Sequence, residues 1–406
     1  MDELCELVTD GTHDSPKLQK EGVPFIKGKN ISGGTVDFSA CDFITLKDHE
    51  EACRRVKPLR GDILFSNIGS VGDTAVVKDD REFSIKNVAL FRPDQLKVDR
   101  AYFYYLVLSP EFRSKVMNVR SGSAQPFISL ANLRSFEVSY VEDGNVQRRI
   151  AGILSAYDEL IENSQRRIKI LEEMARALYR EWFVHFRFPG HESIPLVPSA
   201  IGDIPQGWEV KNVADAFVIS GGGTPSRKEA DFWEGGTIQW YSPSDLTGAG
   251  TMFMDDSSDH ITESGLAQSS ARMFPAHSVM LTSRATIGAI AINTQPACTN
   301  QGFITCLPND RVSLYFLFHW LTENVPTFQR MASGATFKEI SRGVFKTIEF
   351  LQPPGQIVER FEAIAAPMAE QVLALQRQTQ NLRRTRDLLL PRLLSGQIDV
   401  EALDHV

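Results

Sequence analysis

The chain has 406 residues, 42% of them hydrophobic and 23% charged, with a formal net charge of −8. That composition suits a soluble protein of two or more domains; no apolar run has transmembrane length and no signal peptide opens the sequence, so a cytoplasmic protein is expected. The net acidity disfavours indiscriminate nucleic-acid binding, although a local basic patch or basic partner subunits could supply the field. Five cysteines, Cys5, Cys41, Cys53, Cys298 and Cys306, have neither paired nor metal-ligand spacing, so no metal site is expected.

In chain order, the first half opens on Leu7–Thr12 and then Val23–Ile26 before Asn30-Ile31. Ile63-Leu64-Phe65 and Ala75-Val76-Val77 read as buried strands, with Gly69 and Gly72 marking a tight turn between them. Tyr102 to Met117 reads as an amphipathic helix. The next stretch repeats apolar residues in alternating steps of four and three: Ile150, Leu154, Tyr157, Ile161, Ser164, Ile168, Leu171, Ala175, Leu178 and Trp182. That heptad seam predicts a helix of roughly 50 Å at 1.5 Å per residue, longer than a compact domain needs. A Pro-rich linker from Pro189-Gly190 through Pro205 follows.

The second half repeats the first with an offset of about 211 to 216 residues. Val218–Thr224 answers Leu7–Thr12, and Ile238–Tyr241 before Ser244-Asp245-Leu246 answers Val23–Ile26 before Asn30-Ile31. His277–Thr282 with Ala285–Gly288 answers Gly61–Ser66 with Gly69–Gly72; Ser333-Gly334, Ile340-Ser341 and Ile348 answer Ser121-Gly122, Ile128-Ser129 and Phe136. Val279–Leu281 and Ala289–Ile292 read as strands and Leu314–Met331 as a helix. The closing seam is Phe361, Ala365, Met368, Val372, Leu375, Thr379, Leu382, Arg386, Leu389 and Leu393. Five blocks in fixed order and spacing indicate duplication of a globular domain plus a long helix.

The fold expected is α+β: two similar α/β domains separated by two long antiparallel helices in a coiled coil, with a pseudo-two-fold internal repeat. The segments are 1–143 (first recognition domain), 144–188 (central helix), 189–354 (linker and second recognition domain) and 355–406 (distal helix and tail). Antiparallel pairing sets Ser164 opposite Thr379, which avoids leaving two hydroxyls in apolar layers, and sets Tyr157 opposite Arg386 as a cation–π contact. Pro367 predicts a kink and Pro391 a break. Trp208-Glu209-Val210 has no counterpart in the first half, and the tail Gly396–Val400 is the expected lender of the missing strand.

Enzyme signatures are absent. Lys27–Asn30 lacks the spacing and the Ser/Thr of a phosphate loop, and Gly221–Gly223 lacks the third spaced glycine of a dinucleotide site. No amino-methyltransferase motif and no zinc-protease helix occurs, and His13 and His277 fall in loops. Polar residues instead concentrate on corresponding loops of the two halves. These candidate DNA contacts are Thr12, His13, Lys27, Lys29, Asn30, Ser66, Asn67, Ser70, Lys86, Asn87, Ser123 and Gln125 in the first. In the second they are Thr224, Arg227, Lys228, Tyr241, Ser244, Thr282, Ser283, Arg284, Thr286, Asn300, Gln301, Thr336 and Lys338. Asn, Gln, Arg and Lys suit base edges; Ser, Thr and Lys suit phosphates.

Taken together, Asp10–Pro16, Val23–Ser32, Gly61–Gly72, Gly222–Arg227, Phe232–Leu246 and the helix end Leu178–Phe183 resemble the specificity subunits of type I restriction–modification systems over nearly the whole chain. The resemblance implies a non-catalytic subunit with one target-recognition domain per half-site of a bipartite double-stranded DNA target. It implies helices that act as ruler and docking surface for two methyltransferase subunits. Those partners would carry S-adenosylmethionine and methylate a flipped adenine, and motor-nuclease subunits would use ATP and Mg2+, so no cofactor is expected on this chain. A modification-only system and a protein–protein scaffold are the alternatives.

Overall fold

In the computed structural model, residues 1–119, 126–334 and 337–402 are described. The candidates Ser123, Gln125 and Thr336 lie outside them. The chain divides into two compact units, one of Met1–Glu162 with Gln380–Val406 and the other of Asn163–Thr379. Both boundaries fall inside the long helices, Gly144–Tyr179 and Gly355–Leu394. Each helix therefore gives one stretch of its length to each unit.

The first unit is built on an antiparallel sheet ordered Cys5–Asp10, Ala89–Pro93, Ile63–Phe65, Thr74–Val76. A second sheet sets Val23–Ile26 between Asp42–Ile44, antiparallel, and Ser84–Ile85, parallel. The second unit repeats this plan. Val218–Gly221, Phe303–Leu307, Val279–Thr282 and Ile290–Asn293 follow one another in the main sheet, extended by Phe253–Met254. Ile238–Tyr241 lies between Asp259–Ile261, antiparallel, and Ala297–Thr299, parallel. The strands are short apolar runs enclosed on both faces, so Ile63, Leu64, Val279, Met280 and Leu281 have no exposed surface.

The helix seams are buried or half-buried at every position the periodicity selects. In the first unit Ile150 and Leu154, early in the central helix, share a core with Leu390 and Leu393, late in the distal one. In the second unit the late Tyr179 and Trp182 pack their rings 5.9 and 6.2 Å from the early Phe361. Start meets end in each unit, so the helices pair antiparallel. The same units hold Phe112 and Tyr102 in the first core and Phe316, Trp320 and Phe350 in the second, where the helix halves join the domains.

Several expectations are corrected. Tyr102–Met117 is two helices, Arg100–Leu108 and Pro110–Val119, because Ser109, which precedes Pro110, is held extended at ψ 147°. The expected break at Pro391 does not occur: the distal helix continues to Leu394, because a proline deletes only one donor and Leu390 and Leu393, locked in the first core, hold the last turn. Arg386 does not stack on Tyr157 as a cation–π pair; its guanidinium ion-pairs with Asp158 at 2.5 Å and with Asp387 at 2.8 Å, because a neighbouring carboxylate outcompetes a ring face. Ser164 and Thr379 are both buried, and the Thr379 hydroxyl has no hydrogen-bond partner. The tail Gly396–Val400 lends no strand. It turns back on the helix end, Ile398 N–H donating to Arg392 O, and contributes Ile398 and Val400 to the first core. Glu209–Asn212 pairs with Glu349–Gln352 in the second unit, and Leu196–Ser199 forms a hairpin with Gly202–Pro205 inside the expected linker.

Candidate nucleic-acid interface

The loops that carry the candidates are pinned by the same backbone hydrogen bonds in both units. After the strand Ile63–Phe65, Gly72 N–H donates to Ser66 O (3.0 Å) and Ile128 N–H to Asn67 O (2.9 Å). After Val279–Thr282, Gly288 N–H donates to Thr282 O (3.1 Å) and Ile340 N–H to Ser283 O (3.0 Å). Gly69 N–H to Pro126 O and Ala285 N–H to Lys338 O complete the match. Both turns need a left-handed residue at that point. Gly69 supplies it at φ +82°, whereas Ala285 is forced to +60°. A second matched device closes a helical turn after the strand of the smaller sheet. The Asn30 carboxamide accepts from Lys27 N–H, and the Asp245 carboxylate accepts from Ser242 N–H.

Seven candidates are enclosed and serve the fold rather than an outer surface: Thr12, Asn30, Ser66, Asn67, Tyr241, Thr282 and Ser283. The physical reason is backbone accounting, since buried turns need internal partners. Thr282 Oγ1 accepts from Ala289 N–H, Asn30 also donates to Ala40 O, and the Tyr241 hydroxyl donates to Gln239 Oε1. Asn67 Oδ1 remains without a partner.

The exposed or half-exposed candidates fall into clusters. In the first unit His13 Nδ1 lies 2.9 Å from Asn87 Oδ1, and Lys86 donates to Ser15 Oγ beside it. Lys27 and Lys29 both converge on Asp42, at 2.8 and 3.5 Å. The Lys27 hydrogen bond holds the Asp42 carboxyl below its ordinary range. Ser70 is exposed on the neighbouring loop, 3.5 Å from Ser66. In the second unit Arg284, Asn300 and Gln301 line a hollow of about 230 Å³ with Pro243, Ala285, Gly302 and Phe337. Thr224 donates to Gln301 Oε1, and Lys338 supplies the carbonyl that holds Ala285. Ser244 is exposed, 2.7 Å from Ser242 Oγ, and Lys228 and Thr286 are exposed on their own loops. Arg227 is committed elsewhere: its guanidinium lies 3.5 Å from the Trp233 ring centroid and pairs with Asp259.

Phe337, 59% exposed beside Arg284, escapes a search for polar residues. Its signal is a lone aromatic in a polar loop, a surface on which a base can stack. Among the described residues no cluster of His, Cys, Asp or Glu could hold a metal ion, and no helix is long and apolar enough to cross a membrane.

The family described as the type I restriction modification DNA specificity domain matches residues 1–173 and 205–369, once in each half of the duplication. The chain belongs to this family. It is therefore a specificity subunit, whose task is sequence-specific recognition of DNA. The MjaIX specificity subunit of Methanocaldococcus jannaschii is 25% identical over 364 residues, covering 89% of this chain and 82% of that protein. The HindI specificity subunit of Haemophilus influenzae is 24% identical, covering 89% and 91%. The crystal structure of a type I restriction–modification S subunit from M. genitalium shares the fold, with a TM-score of 0.60 at 18% identity over 97% of this chain and 94% of that one.

Proposed function

We propose that this specificity subunit reads a bipartite duplex target, one half-site per globular domain, with the paired helices setting the distance between half-sites. The observation that carries this is the repeat itself: the same sheet order and the same loop-pinning bonds recur, while the side chains on those loops differ. A duplicated scaffold with divergent loops suits two unlike half-sites, since base contacts specify while the scaffold only positions. The exposed helix flanks then dock two methyltransferase subunits, which bring S-adenosylmethionine; a motor-nuclease partner, where one exists, brings ATP and Mg2+. This chain itself binds no cofactor and catalyses no step.

Methylation mapping of DNA modified by the complex tests the reading. Two half-sites separated by a fixed spacer are expected, and exchanging residues 191–354 for those of a relative should change one half-site only. Salt-insensitive association with proteins, and no sequence preference on DNA, would favour a scaffold instead.

A further inference from the structure

In the hollow beside Arg284 both side-chain amide oxygens are engaged within the protein, which leaves their donor ends and the guanidinium available. A side-chain amide has one acceptor oxygen and one two-proton donor. In Asn300 the oxygen accepts from the Gly302 N–H at 2.8 Å. A backbone N–H can only donate, so this contact fixes which end of the amide turns inward. In Gln301 the oxygen accepts from the Thr224 hydroxyl at 2.6 Å. Both amide nitrogens are thereby left as the outward ends, and neither is hydrogen-bonded among the described residues. The third polar group is the Arg284 guanidinium, a donor only. Its nearest carboxylate, Glu339, stands 3.8 Å from Nε, beyond hydrogen-bond reach. The loop is not free to swing away: Arg284 bridges to Glu339 through the backbone, and Ala285 N–H is held by Lys338 O at 3.0 Å.

We propose that Arg284, Asn300 and Gln301 form a donor-rich reading face for the paired acceptors N7 and O6 of a guanine in the half-site of the second unit. This rests on the DNA-recognition reading above. The other bases fit worse in the major groove. Adenine and cytosine present an amino donor that would meet donors, and thymine offers one acceptor beside a methyl group. Arg284 supplies the bidentate fork, and Phe337 closes one side of the hollow. Thr224 is a positioning residue: by drawing the Gln301 oxygen towards its own hydroxyl it leaves the amide nitrogen as the end offered to a base.

A phosphate offers the same acceptor chemistry, so the test separates the two sources. The full-length subunit with its methyltransferase partner is titrated onto its mapped target, onto the same duplex with the guanine replaced by adenine or by 7-deazaguanine, and onto unrelated DNA. Wild type should lose about 5- to 150-fold on base replacement. Arg284→Ala should lose a similar factor on the natural target while scarcely distinguishing the replaced duplexes. Arg284→Lys, which keeps the charge but not the fork, should behave like the alanine variant. Thr224→Val should narrow the gap between guanine and adenine, and Thr224→Ser should restore it. A second half-site without a G·C pair overturns the proposal. So does an Arg284→Ala complex with undiminished discrimination, or one weakened equally on all DNA with a shallower salt slope, which marks a phosphate contact. A wild-type complex with no sequence preference overturns the function itself, an outcome distinct from these.

Discussion

His319 should make the second unit acid-labile, and replacing it with phenylalanine should remove that lability. The imidazole is 3% exposed, stacked 5.7 Å from the Tyr179 ring and edge-on to Phe361, and neither ring nitrogen has a hydrogen-bond partner. Burial pushes its pKa from the ordinary 6.5 down to about 4, and the nearby Arg176 charge, itself paired with Glu323, adds to the effect. The folded state therefore binds the proton less readily than the unfolded chain. Stability is untouched above pH 6.5 and falls as pH drops from there towards 4. Linkage gives a loss of about 2 kcal/mol by pH 5 and about 3 kcal/mol at lower pH. The readout is direct, because all five tryptophans, Trp182, Trp208, Trp233, Trp240 and Trp320, lie in the second unit. Urea unfolding followed by tryptophan fluorescence at pH 7.5 and pH 5 should show the wild type losing about 2 kcal/mol more than His319→Phe. Equal losses in the two proteins would refute the assignment.

Three further outcomes follow from the same structure. Thr379→Val deletes a buried hydroxyl that has no partner and should raise the urea midpoint, by about 1 kcal/mol in stability. Asp255 receives both arms of Arg377, at 2.9 and 2.7 Å, and that bond, opposed by burial, holds its carboxyl below the ordinary range. Asp255→Asn should therefore cost stability at neutral pH, under about 1 kcal/mol because the pair is half-exposed, and the difference from wild type should vanish as pH falls through the carboxylate range. Ala285→Gly relieves a left-handed backbone at φ +60°, and calorimetry should find it between neutral and about 2 kcal/mol stabilising.

The duplication and the paired helices were legible because both are periodic. A seam repeats every seven residues, and the alternation of strand and turn repeats every half-chain, so each position is supported by many others. Individual polar residues carry no such redundancy. Thr282 ends a strand and Thr286 lies four residues on in the loop that follows, yet the first is enclosed against Ala289 and the second is exposed. Only the path of the backbone decides which of them must satisfy a buried N–H. The Asp158–Arg386 pair escaped for a related reason: Asp158 lies one residue outside the seam, where the heptad pattern treats every charge as solvent-facing. Periodicity marks the ends of a helix, not which part of it shares a core with which sheet. Ile150 and Leu154 belong with Phe112 and Tyr102, while Leu178 and Phe361 belong with Phe316.

The two units also show how one scaffold can be turned to different sequences without being refolded. The bonds common to both, such as Gly72 to Ser66 and Gly288 to Thr282, run from backbone to backbone and constrain the donating glycine, at φ +108° and +107°, but not the side chains of the neighbouring loop residues. The positions they fix are then free to diverge. Where the second unit presents Arg284, the first has Ile68, bridged to Phe127 as Arg284 is bridged to Glu339. Where the first caps its turn with neutral Asn30 and displays Lys27 and Lys29, the second uses anionic Asp245 and displays Ser242 and Ser244. The first turn thus gathers cations, partly offset by Asp42, and the second gathers hydroxyls beside a carboxylate whose pKa is raised by burial but lowered further by Ser242 and Ser258. Donor-rich contact moves from one loop of the fold to another between the halves. Two half-sites read by such units should differ in where along each the protein grips, as well as in which bases it reads.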